Sequence, residues 1–211
     1  MLPILCFCLL LFCLPAMCSP AEAKTADSLL YLAPADIVVR IEQSRAAKDS
    51  LLRHDPNSPI PPELRAAFKG LNYYPVDPKF HLIGDLHLYG RRRQIQVPTT
   101  DTTFVPMERF GRFVAQLEGN PFWLEVYRSL EDHSLLVLFT DETNGQETYS
   151  GGRYVHLANL EKEGYLLDFN ASYNPYCAYN LDYVCPLPPA QNRLSLPIRA
   201  GEKAYGADLA H

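Results

Sequence analysis

The stretch FHLIGDLHL, residues 80–88, sets the period of the chain. Leu82, Leu86 and Leu88 fall on one side of an extended backbone, and His81, Ile83, Asp85 and His87 fall on the other. A period of two predicts a strand. Downstream, Arg109–Leu117 and Phe122–Arg128 flank Glu118-Gly119-Asn120-Pro121, which reads as a hairpin. Leu135–Phe139 is apolar throughout, so it is expected as a central strand covered on both faces. Further turns are expected at 99–103, 131–133, 144–145 and 150–152. Strands and turns at this spacing predict a mainly β fold, an antiparallel β-sandwich or barrel.

Upstream the pattern is helical. Pro34-Ala35-Asp36 suits a first turn, because Pro is tolerated there and Asp complements the helix dipole. The helix is expected to run to about Arg53, with Ile37, Ile41, Leu51 and Leu52 as apolar contacts. A second short helix is expected from Pro62 to Lys69, stopped by Gly70. The fold class is therefore α+β at the N-terminus, with one or two helices before the strands. The last segment, 170–189, is rich in Tyr, Asn and Pro and is expected as an ordered loop.

The N-terminus predicts export. No residue from Met1 to Ala21 is charged, and Ile4–Leu14 is an apolar run of 11 residues closed by Pro15. That length suits a signal peptide and is short for a membrane span. Ala21-Glu22-Ala23 supplies the small-x-small cleavage pattern. Lipid attachment at Cys18 is the competing expectation, although Pro15-Ala16-Met17 is a poor approach to it. The expected organisation is a signal peptide over 1–23, a spacer over 24–34, one β-rich domain over 35–205 and a tail over 206–211. An extracytoplasmic location follows, periplasmic or secreted, with no transmembrane span in the mature chain.

Removing the leader takes away four of six cysteines and leaves Cys177 and Cys185. In an oxidising compartment these two are expected to form one disulfide. Closing that nine-residue loop stabilises by about 2.6 kcal/mol on a chain-entropy argument. Loss of Glu22 moves the net charge from -5 to -4. A mildly acidic chain with scattered basic residues gives no case for nucleic acid.

Several residues carry candidate chemistry. His81 and His87 lie roughly 20 Å apart along a regular strand, too far for one ion without a bulge at Gly84. Asp85 and His87, about 7 Å apart, remain an alternative metal pair, although a solvated sheet face is the expected reading. No other metal site and no cofactor is expected. Glu108, Glu125 and Asp168 are carboxylates on or beside strands, expected as surface charges or as partners of arginines such as Arg112, Arg128 and Arg153. Gly151-Gly152-Arg153 could offer N–H groups and a guanidinium to an anion. Around the first cysteine, Tyr173, Tyr176 and Tyr179 alternate with Asn170, Asn174 and Asn180. Aromatic faces with amide groups suit an unidentified small molecule, glycan or peptide. The expected binding set is Gly151, Gly152, Arg153, Asn174, Tyr176 and Tyr179. A catalytic set is not legible. The leading function is an exported binding or accessory module, with an extracytoplasmic hydrolase using carboxylates or a metal as the alternative.

The C-terminal half carries a resemblance. Tyr149-x-Gly151-Gly152-Arg153-Tyr154, Asp168-Phe169-Asn170-x-x-Tyr173-Asn174-Pro175, Cys177-Ala178-Tyr179 and Cys185-Pro186-Leu187-Pro188-Pro189 resemble the bacterial and archaeal family called domain of unknown function 1684. Ser58-Pro59-Ile60-Pro61 and Phe68-Lys69-Gly70-Leu71 fit the same pattern, so the resemblance spans roughly residues 40–203. It implies a single β-rich domain and no particular activity. It also implies members without leaders, whose two cysteines would sit in a reducing compartment, and this keeps a thiol or metal role open.

Overall fold

The alternating stretch is the first strand of a closed barrel. The computed structural model describes residues 32–206, so the leader, Cys18, most of the spacer and the tail beyond Gly206 lie outside the described residues. Six strands follow in chain order: β1 (His81–Pro98), β2 (Phe104–Leu117), β3 (Asn120–Arg128), β4 (Leu135–Phe139), β5 (Arg153–Asn159) and β6 (Tyr165–Asp168). Each pairs antiparallel with the next, and β6 returns to β1, which leaves no open edge. Of the two architectures expected, the barrel is the one formed.

Closure depends on β1 serving two partners. Its first four residues pair with β6, His81 opposite Asp168 and Gly84 opposite Tyr165. From Asp85 onward it pairs with β2. Gly84 stands at the handover. A Cβ there would meet the Val114 carbonyl at 2.3 Å and the Phe113 ring at 2.8 Å, so only glycine lets the backbones approach this closely. The irregularity in β1 lies further on, where Leu88 faces Gly111 but Arg93 faces Arg109. The extra residues place Arg91-Arg92-Arg93 inside the strand and leave Leu88 half exposed.

The hairpin at Glu118-Gly119 forms as read. Both residues have positive φ, 52° and 81°, the type I′ geometry whose twist matches the strands. β4 is apolar for a visible reason. Val137 and Phe139 point into the barrel with Phe113, Leu124, Val126, Leu167 and Phe169. Leu138 points outward into a second cluster with Val97, Met107, Tyr127 and Tyr154.

The N-terminal helix α1 runs from Pro34 to His54, close to its expected limits. It buries Ile37, Ile41, Arg45 and Leu52, whereas Leu51 is exposed. The second helix, α2, is only Pro62–Arg65, shorter than expected. Arg65 explains part of the stop, since its guanidinium donates to the carbonyls of Asp55, Pro56, Ser58 and Ile60 and ties the connection down. No helix among the described residues is long and apolar enough to cross a membrane.

Candidate functional site

The outward side of β5 and β6 carries His156, Ala158, Leu166 and Asp168, because Leu157 and Leu167 point into the core. Helix α1 faces this surface with Arg40, Ile41, Ser44, Arg45 and Lys48, which share one side at spacings of four. Between them lies a cleft of about 450 Å³, completed by Tyr73, residues 170–173 and Glu202. Its lining is mostly apolar surface and includes Ile41, Ala158, Leu166 and Ala171. Three cations, Arg40, Arg45 and Lys48, meet two carboxylates, Asp168 and Glu202.

Each charge has a different anchor. Arg45 is buried, donates to the Tyr74 carbonyl at 2.9 Å and the Asn170 carbonyl at 3.2 Å, and lies over the Tyr73 ring at 4.6 Å. Burial lowers its pKa from the usual arginine value, opposed by the nearby Glu42 carboxylate. Lys48 donates to Glu202 at 2.5 Å and sits 4.9 Å from the Tyr173 ring centre. Glu202 is buried and also accepts from the Tyr179 hydroxyl at 2.5 Å and the Asn174 N–H at 2.9 Å. Arg40 is the loosest, 34% exposed and 3.5 Å from Asp168.

Asp168 is a junction. One oxygen accepts from the Asn170 N–H and side-chain amide, and the other lies 2.8 Å from His81 Nδ1. His81 Nε2 is buried with no partner among the described residues. On the other side, His156 stacks on Tyr173, with the Tyr173 hydroxyl 3.0 Å from its Nε2. Desolvation lowers the His156 pKa, which favours the neutral ring. Burial first, and then the Glu202 charge, raises the pKa of Tyr73, Tyr173 and Tyr179, so these phenols stay protonated.

The binding set expected from sequence does other work. Arg153 has no exposed surface; it pairs with Asp141 at 2.8 Å and donates to the carbonyls of Ile198, Ala200 and Glu202. No face of its guanidinium is left for an anion. Gly152, with φ of 93°, has Pro188 and the Phe139 carbonyl within 2.7 Å of where a Cβ would stand, and Gly151 lies against the Tyr149 ring. These glycines allow close packing rather than anion capture. Asn174 is buried, donating to the Lys203 carbonyl, and Tyr179 holds Glu202. Tyr176 is exposed and stacks edge-on with Tyr183. Of the wider Tyr/Asn segment, only Asn170 and Tyr173 line the cleft.

Asp85 and His87 are exposed, and among the described residues no group of three or more His, Cys, Asp or Glu is placed to hold a metal. Glu125 is buried and takes both arms of Arg109 at 2.9 and 2.8 Å, and Glu108 pairs with Arg128. Cys177 and Cys185 are buried free thiols, not a disulfide, although their side chains adjoin. Sequence reasoning missed the helix side of the cleft. The available signal was Arg45, which continues the Ile37 and Ile41 stripe at a spacing of four, where an apolar residue is the rule.

Fold and site together define a closed antiparallel barrel with a helix-roofed, charge-rimmed cleft on its outer wall. The chain belongs to the family described as protein of unknown function (DUF1684), which matches residues 66–203. That span holds the whole barrel and the Asp168, Tyr173 and Glu202 side of the cleft, while α1 precedes it. The chain is similar to the uncharacterized protein from gene locus rrnAC0354 of Haloarcula marismortui, known from a solution NMR structure. The two are 34% identical with a TM-score of 0.63, covering 82% of this chain and 95% of that one. Among curated proteins, none matches.

Proposed function

We propose that the protein is an extracytoplasmic binding module that takes a small amphiphilic anion in the cleft under α1. The observation that carries this reading is the juxtaposition of Arg40, Arg45 and Lys48 with an apolar floor in a space of about 450 Å³. That volume falls in the range of small-molecule sites, which are mostly apolar with a few placed polar groups. A carboxylate or phosphate would meet Arg40 at the open edge, and its apolar body would cover Ile41, Ala158 and Leu166. A glycan is less well served, because the Asn170 amide that lines the cleft is already spent on Asp77 and Asp168. Export rests on the Ile4–Leu14 run and Ala21-Glu22-Ala23.

The test is calorimetric titration with phenylacetate, hexanoate and phenyl phosphate, with neutral phenylacetamide as control. The anions are expected to bind and the amide not to. Ala158→Phe, which fills the floor, is expected to remove the signal while the barrel stays folded. Equal binding of the amide, or binding undisturbed by Ala158→Phe, would sink the reading.

A hydrolase is the second reading, and the His81–Asp168 contact favours it. The carboxylate at Nδ1 orients the ring, and the buried Nε2, without a partner among the described residues, would take up a proton once water or substrate reached it. Hydrolysis of p-nitrophenyl esters or phosphates, lost in His81→Gln at unchanged melting temperature, would support it. Equal rates in the two proteins would dismiss it.

A further inference from the structure

Cys177 sits in the short turn Tyr176–Ala178, and Cys185 ends the loop that follows. The Cys177 backbone N–H donates to Cys185 Sγ at 3.3 Å. The Tyr149 hydroxyl lies 3.6 Å from Cys177 Sγ. Cys185 is held in place from β1's end, since its N–H donates to the Thr100 hydroxyl and its carbonyl accepts from the Thr100 N–H. The two thiols therefore adjoin, and their surroundings differ. Cys185 accepts from the Cys177 thiol and from backbone N–H groups, whereas the Cys177 sulfur donates to Cys185 and has the Tyr149 hydroxyl beside it.

We propose that Cys177 and Cys185 form a thiol–disulfide exchange site, in which Cys185 attacks an external small-molecule disulfide and Cys177 closes the internal bond. The asymmetry sets the order. Hydrogen bonds from the Cys177 thiol and from the Cys177 and Tyr176 N–H groups favour the Cys185 thiolate and lower its pKa, against the effect of burial. The same contact with Cys185, together with burial, raises that of Cys177. The thiolate is the attacking species, so Cys185, whose sulfur accepts the Cys177 N–H, is the nucleophile.

The steps balance. Cys185 thiolate attacks one sulfur of a disulfide RSSR, forming a Cys185–S–S–R bond and releasing RS⁻. Cys177 then loses its proton to solvent and attacks the Cys185 sulfur, releasing a second RS⁻. The protein dithiol is oxidised, and RSSR is reduced to two thiols. Access comes through the loop between the cysteines. Both sulfurs are buried, but Leu181 is 94% exposed and Val184 50%, so few apolar contacts hold this loop closed.

The exchange site does not depend on the ligand of the α1 cleft. The test treats the reduced full chain with excess oxidised glutathione, followed by alkylation and mass spectrometry. The tryptic peptide 163–193 carries both Cys177 and Cys185, so the four leader cysteines do not interfere. In the wild type this peptide is expected to lose two hydrogen atoms, and a reducing dithiol is expected to restore them. Cys177→Ser is expected to accumulate glutathione on Cys185, and Cys185→Ser to leave Cys177 as thiol. A wild-type peptide that stays a dithiol, or that holds a lasting glutathione adduct, overturns the proposal. So does a Cys185→Ser variant that reacts as fast as the wild type. If either variant fails to fold, the wild-type rate decides. It should level off at a lower pH than for an ordinary thiol of pKa about 8.5, and a profile that keeps climbing past that point overturns the proposal.

Discussion

Two arginine-centred regions of this molecule look alike in composition and differ in use. Around Arg153, every nearby acceptor belongs to the protein: Asp141 and three carbonyls close on a side chain with no exposed surface. Around Arg45, the same kinds of contact are made, but the neighbouring cations Arg40 and Lys48 are each about a third exposed and border open volume. An unpaired Nε does not distinguish the two, since Arg40, Arg45 and Arg153 all have one. What separates scaffold from site is space beside the charge. Arg153 ties the barrel's β5 to the segment 198–202, and Arg45 holds α1 above a cleft.

The comparison breaks most readily at Arg153. Arg153→Met leaves Asp141 buried without its charge partner, and stability is expected to fall by about 3–5 kcal/mol in urea unfolding. A cost below about 1 kcal/mol would mean that the pair is not structural. Gly152→Ala is the next largest. Its φ of 93° and the crowding by Pro188 and Phe139 are expected to cost about 1–3 kcal/mol, read in the same unfolding experiment.

The cleft should respond in the opposite sense. Arg40→Gln removes a cation about a third exposed, with one long ion pair, so stability should change by less than about 1 kcal/mol. Affinity for phenylacetate is expected to drop about tenfold, roughly 1.4 kcal/mol, by calorimetry. Loss of stability without loss of affinity would make Arg40 scaffold too.

The smallest effect is a pH dependence at His156. Its folded pKa is lowered by desolvation, with the Asp132 charge opposing, from a reference of 6.5. The ring's contribution to stability is therefore complete above pH 6.5 and is lost as pH falls through the lowered folded value. The ring keeps solvent contact, so the slope is shallow. Melting temperatures between pH 7 and 5 should decline less steeply in His156→Gln than in the wild type, and parallel curves would remove His156 from the account.

Much of the fold was legible because its signals are local. The alternation around Leu82 and the Glu118-Gly119 turn each act within a few residues, and both formed as read. The Pro34 helix start lay in the same class. The site was not legible in that way. Tyr and Asn side chains that suggest a ligand when read along the chain turned out to be occupied by Glu202, Lys203 and Asp77. Arg153 looked like an anion hook because sequence does not show where Asp141 and the carbonyls of Ile198 and Ala200 stand.

Local pattern was enough for strands, turns, a mainly β class and the family resemblance, because backbone periodicity and turn chemistry are written in neighbouring residues. Closure of the barrel needed β1 to be shared between β2 and β6, with His81 meeting Asp168, 87 residues away. The cleft needed Lys48 to meet Glu202 across 154 residues. Only the tertiary fold decides such meetings, because whether a charge becomes scaffold or site depends on what the rest of the chain brings beside it.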